Sequence, residues 1–295
     1  MSALCLGEIL VDCFGDRRIP GGALANVACH IAALGENAVL VSRVGDDAEG
    51  RKLSAWLSER GVSADLLQID PVNPTGVVRV LPGPRYDIED RAAWDFIEIA
   101  ATNRATAGQS RIVAFGTLAQ RTPASRKTIR NLVTMARSAG VPALCDLNLR
   151  SPFYDEATVL WSLRNCDVLK LNREELETVS RLIQARGETG ELFAGLLREF
   201  SIPRGVLTDG AEGAWFSEEG ETWHQSAEQP EVFSDAVGAG DAFCAVLSVA
   251  LARGISLRQT GPAAASLAAY VVSQPGATPE IPRRLADRVN EMLAS

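Results

Sequence analysis

Short runs of aliphatic and β-branched residues alternate with longer stretches of helical periodicity along most of the chain. An extended run over 4–11 precedes a helical pattern over 24–34, the run at 38–44 precedes one over 49–60, and that at 111–115 precedes one over 123–139. Further runs at 143–146, 168–171 and 205–208 are each followed by polar or helical segments. This rhythm predicts an α/β fold with a doubly wound, mostly parallel sheet flanked by helices. Residues 75–97 interrupt it. A run at 76–81, the turn Pro82-Gly83-Pro84 and a second run at 85–89 read as a hairpin, and residues 10–19 add an extended piece. The segments 10–20 and 75–97 therefore predict a small β lid over a cleft. Near the C-terminus, helices are expected over 240–253, 259–273 and 282–293, with Pro275-Gly276 breaking between the last two. No internal repeat or low-complexity linker divides the sequence, so residues 1–295 are expected to form a single domain.

Composition removes several classes of function. At 295 residues and 46% hydrophobic content, the chain can bury a large core. Its formal net charge of -8, with no basic run, argues against nucleic-acid and anionic-membrane partners. No charged-then-apolar leader follows Met1, and the longest apolar stretch, 263–272, is too short and Ala-rich to span a bilayer, so a cytoplasmic location is expected. The six cysteines form no Cys-x-x-Cys pair and there are two histidines, which disfavours a zinc site or a disulfide framework. His30 reads as a packing residue on its helix.

The richest chemistry lies in Asp235-Ala-Val-Gly-Ala-Gly-Asp241. Gly238, Ala239 and Gly240 let backbone amides approach an anion at the positive end of a helix. Asp241 beside them is a poor phosphate ligand but a suitable general base for an attacking hydroxyl. A tight turn with a first-turn acidic cap uses the same residues. In open parallel sheets ligands bind beyond the carboxyl ends of the strands, which singles out Asp146, Asn148 and Arg150, then Asn172 and Glu175, then Thr208, Gly210 and Gly213. Caps and turns explain each group separately; their convergence on one sheet edge is harder to explain that way. Gly21, Gly22 and Asn26 open the first helix, and Asp12 leaves the first strand. Together they suit a polyhydroxylated ligand. The sequence has no Gly-Lys-Ser or Gly-Lys-Thr phosphate loop, and no Gly-x-Gly-x-x-Gly turn follows the first strand.

These ordered motifs resemble the ribokinase-like (PfkB) carbohydrate kinases over essentially the whole chain. Gly21-Gly22-Ala-Leu-Ala-Asn26 resembles the family's sugar-binding signature, and Asp235 to Asp241 its anion-hole and catalytic-base signature. Asn172-Arg-Glu-Glu175 is similar to its magnesium-associated motif, and Thr208-Asp-Gly210-Ala-Glu-Gly213 to its nucleotide-contacting turn. The stretch from Asp146 through Arg150 to Tyr154, with Ala93-Trp94-Asp95 before it, most resembles the fructokinase branch. The resemblance implies ATP-dependent phosphorylation of a sugar hydroxyl, with a ketohexose such as fructose as acceptor. A nucleoside kinase of the same fold and a catalytically silent binding or scaffold member are the alternatives.

It also implies a role for each residue. Asp241 is the general base, and Gly238, Ala239 and Gly240 form the anion hole. Asp12, Gly21, Gly22 and Asn26 hold the sugar, with Arg150 and the lid residue Arg79 approaching sugar or phosphate. Asn172, Thr208, Gly210 and Gly213 line the nucleotide side, and Glu175 acts on Mg2+ through water. Asp235 and the Gly276 region form a monovalent-cation site for K+, although Ala236 stands where the family usually has Thr or another small polar residue. Only Cys13 to Pro20 separate Asp12 from Gly21. The lid is therefore expected to be reduced, and the protein a monomer or a homodimer.

Overall fold

The computed structural model describes residues 3–81, 85–228, 230 and 232–294. Its strands are β1 (Ala3–Leu6), β2 (Leu10–Phe14), β3 (Arg17–Gly21), β4 (Ala38–Gly45), β5 (Leu67–Asp70), β6 (Gly76–Leu81) and β7 (Arg85–Ile88). They continue with β8 (Ile112–Phe115), β9 (Ala143–Asp146), β10 (Val168–Asn172), β11 (Arg204–Thr208), β12 (Ala214–Glu218) and β13 (Glu221–Gln225). The helices are α1 (Ala23–Ala33), α2 (Ala48–Glu59), α3 (Ala101–Gln109), α4 (Pro123–Ser138) and α5 (Glu156–Arg164). They end with α6 (Arg173–Leu182), α7 (Thr189–Glu199), α8 (Ala239–Ala252), α9 (Leu257–Val272) and α10 (Arg283–Ala294).

Among the described residues, nine strands form the main sheet in the order β13-β12-β11-β10-β9-β8-β1-β4-β5. Pairing is parallel from β11 through β5, and β12 and β13 complete one edge antiparallel. Alternation along each strand feeds two separate cores. On β1, Ala3 and Cys5 face the layer packed by α1, α2, α8, α9 and α10, while Leu4 and Leu6 face the layer packed by α3 to α7. Burial on both faces is why these strands read as continuous apolar runs. Among the described residues, no helix is long and apolar enough to cross a membrane.

The apolar run at 4–11 is two strands, not one. A side chain at Gly7 would run into Leu24, and Glu8 turns aside to accept a hydrogen bond from the Ala23 amide at 2.9 Å. The chain therefore leaves the main sheet after Leu6 and re-enters β structure at Leu10. Residues 10–20 are likewise not a single extended piece: β2 and β3 form a hairpin around Gly15 (φ 60°). With β6 and β7 it makes a four-stranded lid sheet, ordered β3-β2-β6-β7. The expected turn Pro82 to Pro84 lies outside the described residues. Trp94 and Asp95, part of the resemblance to fructokinases, anchor the end of the lid segment. Asp95 pairs with Arg121 at 2.7 Å, and that guanidinium lies 4.1 Å from the Trp94 ring centroid.

Candidate active site

The carboxyl ends of the parallel strands open, under the lid, on a cavity of about 860 Å³. It runs from Glu8 and Asp12 beyond β1, past Asp146 and Lys170, to Thr208 and Gly213 beyond β11. Four strand spacings of about 4.8 Å separate β1 from β11, giving about 19 Å, enough for a sugar and a nucleotide end to end.

The anion-friendly turn sits midway. Gly238 caps α8 in the left-handed region at φ 81°, and a side chain there would overlap the Ala277 carbonyl. Glycine is required on both counts. The first residues of α8 border the cavity, the Ala239 amide making a long hydrogen bond to the Ala236 carbonyl at 3.4 Å, and Asp241, third residue of the helix, stands beside them. Asn26 Nδ2 donates to Asp241 Oδ2 at 2.8 Å. One turn further along α1, His30 Nε2 lies 2.9 Å from the Ala277 carbonyl. Burial pushes the His30 imidazole down to about 4, against the opposing effect of that carbonyl, so the neutral ring carries its proton on Nε2 and donates. Helix α1 thus braces the Asp241 side chain through Asn26 and the loop behind Gly238 through His30. His30 does more than pack.

Burial pushes the Asp241 carboxyl up to about 7; Asp146 adds to the rise, while Asn26, Lys170 and Arg150 oppose it. A carboxylate acting as general base must be deprotonated, so if Asp241 has that role kcat/KM is expected to fall as pH drops through about 7, measured under saturating metal and nucleotide. The Asp241→Asn variant lacks this acid limb.

At the β1 end, strand register decides which lid residues enter the site. Asp12 pairs with Val78, and Val78 with Ile88, so all three share the inward face and line the cavity. Cys13, Arg79 and Asp87 share the other face. Arg79 therefore does not face the cavity with the residues expected to hold the sugar. It is exposed on the outer side of the lid and pairs with Glu89 at 2.5 Å and Asp87 at 3.5 Å. Gly21 also supports rather than lines: a side chain there would overlap the Asp12 carboxylate. Gly22 (φ 109°), Asn26 and Arg150 do line the cavity. Burial pushes the Asp12 carboxyl up to about 6, with Arg150 opposing.

Between the two ends lies a pair that the sequence reading reached only by half. Lys170 Nζ donates to both oxygens of Asp146, at 2.9 and 2.8 Å, and both side chains are buried. Burial works against the ammonium, but Asp146, Cys244 and Glu175 more than offset it and raise the Lys170 pKa. The ammonium lies directly against Gly240. Asp146 was singled out by its place after a strand; Lys170 was overlooked, although a lone lysine inside the run Val168-Leu-Lys-Leu171 was its signal. Glu8 was missed for the same reason, as a lone acid within the 4–11 run.

Glu175 and Asn172 form a reciprocal cap at the start of α6. Asn172 Oδ1 accepts from the Glu175 amide at 2.9 Å, and Glu175 Oε2 accepts from the Asn172 amide at 2.9 Å. Glu175 Oε1 also accepts from Leu149 N at 2.7 Å. Burial and Asp146 raise its pKa, with Lys170 and those amides opposing. Among the described residues no group of three or more His, Cys, Asp or Glu could hold a metal by itself. Glu175 faces the cavity with both of its oxygens already accepting backbone hydrogen bonds. The carboxylate expected to hold potassium is occupied in the same way. Asp235 Oδ1 accepts from Val237 N at 2.9 Å and Oδ2 from Gly276 N at 3.2 Å, so its carboxylate already ties the two loops together.

At the β11 end, Thr208, Gly210 and Gly213 line the cavity. Gly213 (φ 108°) lies where a side chain would overlap the Gln225 carbonyl, so the backbone alone fits there. Asp209, just behind, is paired with Arg173 outside the cavity. Phe233 and Val237, both exposed, add apolar lining to the cavity.

A sequence model of the pfkB family carbohydrate kinases matches residues 4–284. The chain belongs to this family. It is 29% identical over 265 residues to a fructokinase of Escherichia coli, covering 83% of each protein. It is also 28% identical over 291 residues to the bifunctional protein HldE of Erwinia tasmaniensis, covering 96% of this chain and 57% of that protein. The chain thus spans little more than half the length of that relative. Two solved structures share its fold. Fructokinase from Xylella fastidiosa with bound ATP superimposes with a TM-score of 0.85 at 20% identity, covering 100% of this chain and 99% of that one. Aminoimidazole riboside kinase from Salmonella enterica, complexed with aminoimidazole riboside and an ATP analogue, gives 0.81 at 23%, covering 99% and 100%. The chain is thus a member of the pfkB carbohydrate kinase family and a homologue of a fructokinase.

Proposed function

We propose that this pfkB-family kinase transfers the γ-phosphoryl group of ATP to a hydroxyl of a ketohexose such as fructose, with Asp241 as general base. One observation carries the reading. Asp241 stands between the glycine turn that starts α8 and the Asn26 amide that leads to the sugar end of the same cavity. ATP fits with its phosphates along the Gly238, Ala239 and Gly240 amides and its ring toward Thr208, Gly210, Gly213 and Asn172. The acceptor fits between Asp12, Gly22, Asn26 and Arg150.

In this arrangement the acceptor hydroxyl lies against Asp241, which takes its proton as the new oxygen–phosphorus bond forms. The bond to the bridging oxygen breaks and ADP departs with that electron pair. The turn amides, backed by the Lys170 ammonium against Gly240, stabilise charge on the group in transit. Magnesium, when bound, neutralises phosphate charge. Glu175, which faces the cavity, would hold it through water.

The test is a coupled ADP-release assay over ketohexoses, aldoses, sugar phosphates, keto-acid sugars and nucleosides. The expected result is highest kcat/KM with a ketohexose. No turnover with any sugar contradicts the reading, and a preference for adenosine or inosine replaces it with a nucleoside kinase.

A further inference from the structure

Glu8 is among the most buried charged residues of the chain, at 1% exposure, and it lines the sugar end of the cavity. Half of its carboxylate has a structural explanation. Helix α1 starts after Gly22, which has no side chain with which to cap it, and Glu8 Oε1 takes that place by accepting from Ala23 N at 2.9 Å. Capping needs one oxygen. The other, Oε2, is buried and has no hydrogen-bond partner. The nearby Asn26 carries a second orphan: its Nδ2 is committed to Asp241, which leaves Oδ1 buried and unpartnered. Buried polar atoms without partners are costly and uncommon, and two such acceptors on residues that line one cavity point to donors that arrive with a ligand.

Charge narrows the ligand. Among the described residues lining the cavity, six are acidic (Glu8, Asp12, Asp146, Glu175, Glu228 and Asp241) and two are basic (Arg150 and Lys170). Lys170 is paired with Asp146. A phosphate or carboxylate on the acceptor would meet Glu8 and Asp12, whereas hydroxyl groups supply the donors that Oε2 and Oδ1 lack.

We propose that Glu8 is a substrate-recognition residue, its Oε2 accepting a hydrogen bond from a hydroxyl of an uncharged, polyhydroxylated acceptor. This rests on the kinase reading for the place of the acceptor, but not on catalysis. It makes Glu8 a specificity residue distinct from Asp12 and Asn26, and it makes anionic sugars poor ligands.

Calorimetric binding without ATP tests it, using the panel above and the monodeoxy analogues of its tightest-binding member. Glu8→Gln keeps an oxygen for Ala23 N and turns the second acceptor into an amino group. The expected result is a loss of acceptor affinity of about tenfold to a hundredfold, with ATP affinity unchanged. One deoxy analogue should bind wild type correspondingly weakly and lose nothing further in the variant. Phosphorylated forms of the same sugar should bind wild type more weakly than the parent. Unchanged acceptor affinity in folded Glu8→Gln, or additive losses for every analogue, overturns the assignment and leaves Glu8 as a helix cap. If the variant does not fold, a structure of wild type with the acceptor decides: no acceptor hydroxyl within about 3.2 Å of Oε2 overturns it. Glu8-dependent binding without phosphorylation refutes the kinase reading alone, and phosphorylation with Glu8-independent binding refutes this inference alone. If no panel member binds, both fail.

Discussion

Asp241→Asn is expected to lower kcat by about two to four orders of magnitude while leaving the affinity for ATP nearly unchanged. Asparagine preserves an oxygen for Asn26 Nδ2, so the side chain keeps its place and loses its basicity. Stability separates this outcome from simple damage. Burial raises the native carboxyl from 3.8 to about 7, so the native state holds this proton more tightly than the unfolded chain. That contribution is fully present below about pH 4 and is lost as pH rises through about 7. Above pH 7 the wild type carries a buried charge that the asparagine variant lacks. The variant should therefore be at least as stable there, by urea denaturation, while nearly inactive. Near wild-type turnover would leave Asp241 as a helix cap and move the base elsewhere.

The second large effect concerns Lys170. Lys170→Met retains a long apolar stem but leaves Asp146 buried without its ammonium, and breaking a buried pair from one side costs about 3–5 kcal/mol. The urea midpoint should fall accordingly. Replacing both partners, as Lys170→Met with Asp146→Leu, should recover much of that stability, because no orphaned charge remains. Activity should not return with it. The ammonium against Gly240 also lowers the Asp241 pKa, so any residual activity of Lys170→Met should show its acid limb at higher pH than wild type. A double variant as active as wild type would reduce the pair to a structural fixture.

What could be read from the chain follows from what each pattern encodes. Parallel strands buried on both faces leave continuous apolar runs, so β4, β8, β9, β10 and β11 were visible, as was the helix that opens at the Gly238 turn. Continuity cannot show an interruption within such a run. The break at Gly7 that lifts β2 into the lid depends on contact with Leu24, which spacing does not encode. The same limit governed the site. Residues just after strands were legible because topology sends them to the ligand edge; Lys170 and Glu8, inside apolar runs, were hidden by their company. Arg79 failed for a different reason. A lid strand offers two faces, and the register of β2 with β6, unavailable from a single run, turned Asp12 inward and Arg79 outward. Asn172 was legible both as a helix cap and as a cavity residue, and it is both; the reciprocal hydrogen bond from its amide to Glu175 was not foreseen.

The central claim, that the glycine turn and Asp241 act together on a sugar hydroxyl, is tested most directly with ATP labelled at its γ-phosphate. With a ketohexose such as fructose present, the account predicts that wild type places the label on the sugar and that Asp241→Asn does so at least a hundredfold more slowly, in keeping with the loss of a general base. Label released only as inorganic phosphate, or transferred to the sugar equally well by both proteins, would contradict it.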